Sequence, residues 1–445
     1  MWNLTTTFSS RTNVRNSFFF AAGMFFTCLT LPIAADDGGP VASRPRQVFD
    51  EVWETVARLH YDRDFDAKNR STLYDRFLPE VLQSGNDEEI ADQINRMLRQ
   101  IGDSHIRLRP PPSEAGSLAQ RAALAPRENA EAEARPDREN GADPGFEVLS
   151  AGDDIVVYEV DPDADAARAG LRPGDKILAV DDIEIKPKEP ADSPWLLIVR
   201  SLLSTGRPEN DLRLKLERGG IPLTMTVKRR ELKAGAFFRL GLLSVVGNYR
   251  SRRLPDNIGC VAFSAFIPDV VPKFRRDLAE TFADADGLII DLRGNPGGMI
   301  FIVNWLASWC GPEPIPLGVL VINGVTLAER SSPQPGAFAG PLAILIDRDS
   351  CSAAEIFAAA LQDAGRAVLI GEQTPGKCLP SSIFALPSGF RLQTVTGDSS
   401  RPAGGRIEGI GVTPDFSAPN RPGRDEALEK AVEYLKSRVR PAAGQ

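Results

Sequence analysis

Three apolar stretches constrain this chain most: residues 287–293 (GLIIDLR), 341–347 (PLAILID) and 367–372 (AVLIGE). None alternates polar with apolar residues, as a half-exposed strand would. Continuous runs of this length mark strands buried on both faces. Between the last two lies residues 353–365 (AAEIFAAALQDAG), a helical pattern. Residues 258–266 (IGCVAFSAF) add another strand, 271–282 (VPKFRRDLAETF) another helix, and 425–437 (DEALEKAVEYLKS) a closing amphipathic helix. Alternating strands and helices predict an α/β unit with a mostly parallel sheet over 235–445.

A chain of 445 residues is too long for one ordinary domain, since domains run to roughly 100–200 residues. Upstream, residues 45–108 read as a helical block. Its helices carry apolar residues at 3.6-residue spacing in 48–61 and 90–101, and its end, 102–108 (GDSHIRL), turns strand-like. Residues 109–143 change character: after Pro110, Pro111 and Pro112 they hold Ala, Glu, Arg and Asn with almost no large apolar residue, the composition of a charged linker. Residues 144–231 regain strand patterns at 154–160, 212–216 and 223–229, with a helix from Trp195, which fits a compact β-rich domain.

The first 35 residues predict a secretory signal. Arg11 and Arg15 precede an apolar core of about 14 residues, Phe18 to Leu31, and small residues end at Ala35. That core is too short for a span of ~20 residues. The chain is therefore expected to be exported, periplasmic or extracellular, with no membrane span after cleavage. Its net charge of −8 argues against a nucleic-acid partner. Cys260, Cys310, Cys351 and Cys378 match no zinc spacing, and His60 and His105 are the two histidines, so no metal is expected. Export permits a Cys351–Cys378 bridge; buried free thiols are the alternative.

Ser352 and Lys377, 25 residues apart, pair a hydroxyl opening a helix with an amine following the next strand. Ser352-Ala-Ala-Glu355 is a capping box, and capping alone explains both residue types. The same position puts a serine beside unpaired N–H groups and the positive end of a helix, which favours a reacting oxygen. Asp291-LRGNPGG follows a buried strand. It has neither G-x-G-x-x-G nor a P-loop ending, and its glycines suit an oxyanion hole. A free lysine, with a pKa near 10.4, is a poor base at neutral pH. His105 is intrinsically better matched.

Taken together, Asp291-LRGNPGG, residues 350–367, Gly371-EQTPGK and Gly409-IGVTPD resemble the tail-specific, or C-terminal processing, serine proteases. Ala169-GLRPGDKIL resembles the PDZ domain of bacterial proteases, with Gly145, Phe146, Glu147 and Val148 where such domains bind a peptide carboxylate. The resemblance implies Ser352 as nucleophile, Lys377 as base, N–H donors from Ala353 and from Gly297 or Gly298, and Asp363 and Arg366, with Glu355, ordering the site. It departs at Ser381, where those proteases usually carry glutamine. Ser104-His105 and Glu408 instead resemble the tricorn branch, which implies a Ser352–His105–Ser104–Glu408 tetrad. Cys351 stands one residue off the nucleophile position. These resemblances imply an exported serine endopeptidase of unfolded or C-terminally exposed polypeptides, needing no cofactor. The expected order is a helical block, a PDZ-like domain and an α/β catalytic domain. A non-catalytic peptide- or ligand-binding protein on this fold, or a hydrolase of small esters or short peptides, are the alternatives.

Overall fold

A computed structural model describes residues 43–111, 141–185, 195–206, 208, 210–232, 237–240, 243–322 and 325–438. The signal reading at 1–35 and nearly all of the linker reading lie outside the described residues. Residues 142–143, at the end of that linker, pair as a strand with Arg230–Glu231.

The three apolar runs form adjacent strands of one six-stranded sheet. Its order is Tyr249–Leu254, Ile258–Phe263, Gly287–Asp291, Leu342–Ile346, Val368–Gly371 and Phe416–Ser417; the first is antiparallel and the others run parallel. Both faces are covered. The helices Val270–Ala279, Ile300–Ala307 and Ala353–Asp363 join the core on one side, and Glu426–Arg438 packs on the other through Ala427, Ala431 and Leu435. In Ala353–Asp363 the run Ala353–Leu361 is entirely buried; alanines leave room for a helix wedged between layers.

The parallel arrangement decides where chemistry can sit. Strands ending at Asp291, Ile346 and Gly371 are neighbours. Their carboxyl ends release three loops side by side: 291–298, 347–352 and 372–377. Ligands of open parallel sheets bind at such carboxyl ends.

The PDZ-like unit is an antiparallel sheet with Phe146–Ala151 at one edge, followed by Asp154–Val160, Lys176–Val180, Asp211–Arg218 and Ile221–Lys228. The helical block runs Arg44–Leu59, Phe65–Asn69, a π-turn at Arg70–Tyr74, Asp75–Val81 and Asp87–Arg99. Asn86 caps the last by accepting Glu89 N–H, with acids in the first turn and Arg96 and Arg99 in the last, the arrangement the helix dipole favours. This block does not close on itself. The hairpin Ser381–Ala385/Arg391–Val395 crosses from the α/β unit to pair with Arg107–Arg109, and buries Leu386, Phe390 and Leu392 among the block's helices. That crossing carries the Ser104-His105 turn to the sheet's carboxyl end.

Candidate active site

Ser352 stands at the start of Ala353–Asp363 with φ 57° and ψ −118°. An ordinary capping serine is extended; a left-handed serine holds strain that its surroundings must impose. Glu355 imposes it. Fully buried, its carboxylate accepts Ser352 N–H at 3.0 Å and Lys377 N–H at 2.8 Å on Oε2, and Gly376 N–H at 2.7 Å and the Thr374 hydroxyl at 2.6 Å on Oε1. Burial raises its pKa against the pull of these four donors. The capping box is thus real, and it also clamps the nucleophile turn to the Lys377 loop.

The glycine loop closes over this turn. A side chain on Gly297 would lie 2.7 Å from Ser352 Cβ and 2.8 Å from Ala353 N, so only glycine permits the approach. Gly297 N–H is already donated to Asn295 Oδ1 at 2.9 Å. The N–H groups of Gly298 and Ala353 have no hydrogen-bond acceptor among the described residues. Phe266 holds the loop, donating to Gly297 O and accepting from Met299 N–H, each at 2.8 Å. Asn295, completely buried, donates to Phe263 O and accepts Cys351 N–H at its carbonyl. Behind both loops Asp347 accepts Gly294 N–H, Asp349 N–H and the Ser350 hydroxyl, and Asn420 Nδ2 reaches its other oxygen. Burial and the neighbouring Asp349 push Asp347 up to about 6.

His105 also has a left-handed backbone, φ 65°. Its Nδ1 is 2.7 Å from Ser104 Oγ, and Ser104 N–H donates to Glu408 Oε1 at 2.9 Å. Glu408 is buried; its Oε2 accepts Cys378 N–H at 2.7 Å and Leu379 N–H at 3.2 Å. One carboxylate therefore ties the histidine turn to the residues directly after Lys377. Burial, and then the Lys377 charge, push His105 down to about 4. The same ammonium opposes the rise of the Cys351 thiol, so Lys377 is felt on both sides of the cleft.

Several residues expected at the site stand elsewhere. Asp363 is eleven residues along the helix from Ser352, about 16 Å at 1.5 Å per residue. It binds Arg401 and Ala403 N–H. Arg366 donates to Phe338 O and Gly340 O. Both order the far end of the helix. No disulfide joins Cys351 and Cys378: all four described cysteines are free thiols, and Cys378 Sγ faces Ser399 Oγ at 3.1 Å. Burial raises the Cys351 thiol far above its ordinary value, against a thiolate there. Ser381, where glutamine was wanted, accepts from Gln393 Nε2 within the crossing hairpin.

The expected peptide-binding residues lie at the PDZ-like edge, but that edge is occupied. Arg200 donates to Val148 O at 2.9 Å and to Gly294 O at 2.6 Å; Asn420 donates to Ser150 O at 3.1 Å. Phe146 is part of the PDZ-like core, Gly145 packs against Ala164, and Glu147 Oε1 accepts Asn248 Nδ2 at 2.6 Å. Tyr158 and Asp425, both part-buried, join the buried Arg293 and Asp291 in a cluster below the glycine loop. The domain is thus docked on the loop that carries Gly298. Asn295, Asp347, Thr374, Arg200 and Asn420 were not singled out individually from the sequence; Asn295 and Thr374 lay inside the stretches 291–298 and 371–377, Asp347 ended a buried strand, and Arg200 and Asn420 carried no signal.

Comparisons with known proteins bear on the family and the fold. Residues 257–418 match the profile of peptidase family S41, residues 142–228 that of the PDZ domain, and residues 42–99 that of the tricorn protease C1 domain. A carboxyl-terminal-processing protease of Picosynechococcus sp. is 26% identical over 381 residues, covering 84% of this chain and 83% of its own. The chloroplastic C-terminal processing peptidase of Tetradesmus obliquus is 25% identical over 383 residues, covering 83% and 76%. Among solved structures, the photosystem II D1 C-terminal processing protease shares the fold with a TM-score of 0.55 at 22% identity, over 90% of this chain and 99% of that one. Tricorn protease does so at 0.52 and 17%, over 89% of this chain and 37% of its own. Fold and profiles define a serine-type peptidase. The chain belongs to peptidase family S41, the tail-specific proteases, and is related to the tricorn-like proteases.

Proposed function

We propose that this protein is an exported endopeptidase that cleaves unfolded or C-terminally exposed polypeptides through an acyl-enzyme on Ser352. The observation that carries the reading is the left-handed Ser352 beside two N–H groups, of Gly298 and Ala353, that have no acceptor in the described protein. Such a pair suits the oxygen of a tetrahedral intermediate, and removing one such donor typically costs about 10²–10³ in kcat. Gly297 is excluded as a donor because Asn295 already takes its N–H.

His105 is the base in this reading. Ser104 Oγ accepts the Nδ1 proton, leaving Nε2 free to take the Ser352 proton during attack and return it to the leaving amine. Glu408 holds Ser104. A depressed pKa keeps the imidazole unprotonated at neutral pH, and the negative charge growing on the substrate oxygen offsets the cost of charging it. Lys377 then supplies positive charge toward the oxyanion rather than taking a proton. A polypeptide end pairing with Phe146–Ala151 must first displace Arg200 and Asn420 from that edge.

Hydrolysis of an unfolded, fluorescently labelled protein by His105→Ala and Lys377→Ala, beside wild type, tests the choice of base. Loss of turnover only in His105→Ala supports the tetrad; loss only in Lys377→Ala replaces it with a Ser352–Lys377 dyad.

A further inference from the structure

The turn carrying His105 is held from behind by groups that the proposed chemistry does not use. Asp103 precedes Ser104. His60 Nε2 lies 2.7 Å from Asp103 Oδ2, with the His60 side chain 4% exposed. Asp62 N–H donates to His60 Nδ1 at 3.0 Å. An N–H donor at Nδ1 means that nitrogen carries no proton. The ring proton therefore sits on Nε2 and is donated to Asp103. Tyr61, stacked on His60, donates its hydroxyl to Asp103 Oδ1 at 3.1 Å. Arg406 donates to the Tyr61 oxygen at 2.8 Å.

Two ties thus run in parallel from the 103–105 turn to the 406–408 segment. The inner one is Ser104 N–H to Glu408. The outer one is Asp103 through Tyr61 to Arg406. Between Gly102 at φ 83° and His105 at φ 65°, this turn has little local reason to keep its shape, since a non-glycine left-handed residue is strained. A carboxylate only 11% exposed, gripped by a neutral histidine, supplies one. We infer that Asp103, locked by His60 and Tyr61, is a positioning residue that sets the Ser104-His105 geometry, so that the helical block contributes to turnover and not only to stability. The inference rests on His105 being the base.

The test measures kcat and KM on an unfolded labelled protein for Asp103→Ala, Asp103→Asn, Tyr61→Phe, His105→Ala and the Asp103→Ala/His105→Ala double variant, with thermal melts of each. Misplacing a base by ~1 Å costs about 10²-fold. Asp103→Ala is expected to lose about 10–100-fold in kcat with KM within about twofold. Asp103→Asn, whose amide oxygen still accepts from His60, keeps kcat within about threefold of wild type. Tyr61→Phe, which leaves the His60–Asp103 pair intact and keeps the fold, loses about 2–10-fold in kcat. In the His105→Ala background, Asp103→Ala adds nothing further, because its effect passes through the missing ring. Wild-type kcat in Asp103→Ala or Tyr61→Phe beside a His105→Ala variant reduced to residual turnover overturns this inference alone, as does a full additional loss in the double variant. Wild-type turnover by His105→Ala overturns the base assignment itself.

Discussion

Replacing Lys377 with alanine should move the acid limb of activity upward in pH without abolishing turnover. His105 is depressed from 6.5 to about 4, first by burial and second by the Lys377 ammonium. Removing that ammonium leaves burial in place, so the limb must settle above about 4 and below 6.5. The acid limb of kcat/KM reports the base of the free enzyme. For a base of pKa ~4, roughly 90% is active at pH 5; for one of pKa ~5, about half is. The variant should thus lose about twofold more at pH 5 than at pH 8. The plateau should also fall, within about tenfold, since the positive charge proposed to favour the oxyanion is gone. Stopped or initial-rate hydrolysis of the labelled protein between pH 4 and 9 measures both. Loss of several orders of magnitude at every pH, with wild-type activity rising only above neutrality, would instead make Lys377 the base.

Glu355→Ala strands four donors on Ser352, Thr374, Gly376 and Lys377; chemical denaturation should show a loss of about 2–5 kcal/mol, with turnover at background. Glu355→Gln should do little better, because each carboxylate oxygen accepts two donors and an amide NH₂ cannot. Phe390→Ala, removing a fully buried ring from the crossing hairpin, should cost about 3–5 kcal/mol in a denaturant melt. Its kcat per folded molecule should fall as well, since the hairpin seats the His105 turn. Asp347, pushed up to about 6, binds its proton more tightly folded than unfolded. Its part of the stability is greatest below the unfolded pKa of 3.8 and is lost as pH rises to about 6. Asp347→Asn should flatten that slope in melts taken from pH 4 to 6.5.

Much of the fold was legible because burial on both faces leaves a local mark. The runs at 287–293, 341–347 and 367–372 announce central parallel strands, and the loops at their carboxyl ends follow from topology. Ser352 was legible through its capping box, and Ser104, His105 and Glu408 through resemblance. What could not be read was long-range. Nothing local in residues 381–395 says that they complete the helical block. Asp363 and Arg366 lie close to Ser352 in sequence yet a helix length away in space. The PDZ-like edge looked available because its strand is an edge strand; Arg200 and Asn420, which fill it, come from 52 and 270 residues away. The Gly297 and Gly298 alternatives separated only once the Asn295 side chain had a position.

Ser352 is the group on which acyl transfer turns. Wild type and Ser352→Ala should be treated with a fluorophosphonate and mapped by peptide mass spectrometry. A single adduct on the peptide bearing Ser352, absent from Ser352→Ala together with all turnover, is the predicted result. Retained hydrolysis by Ser352→Ala, or an adduct on another residue, would contradict it.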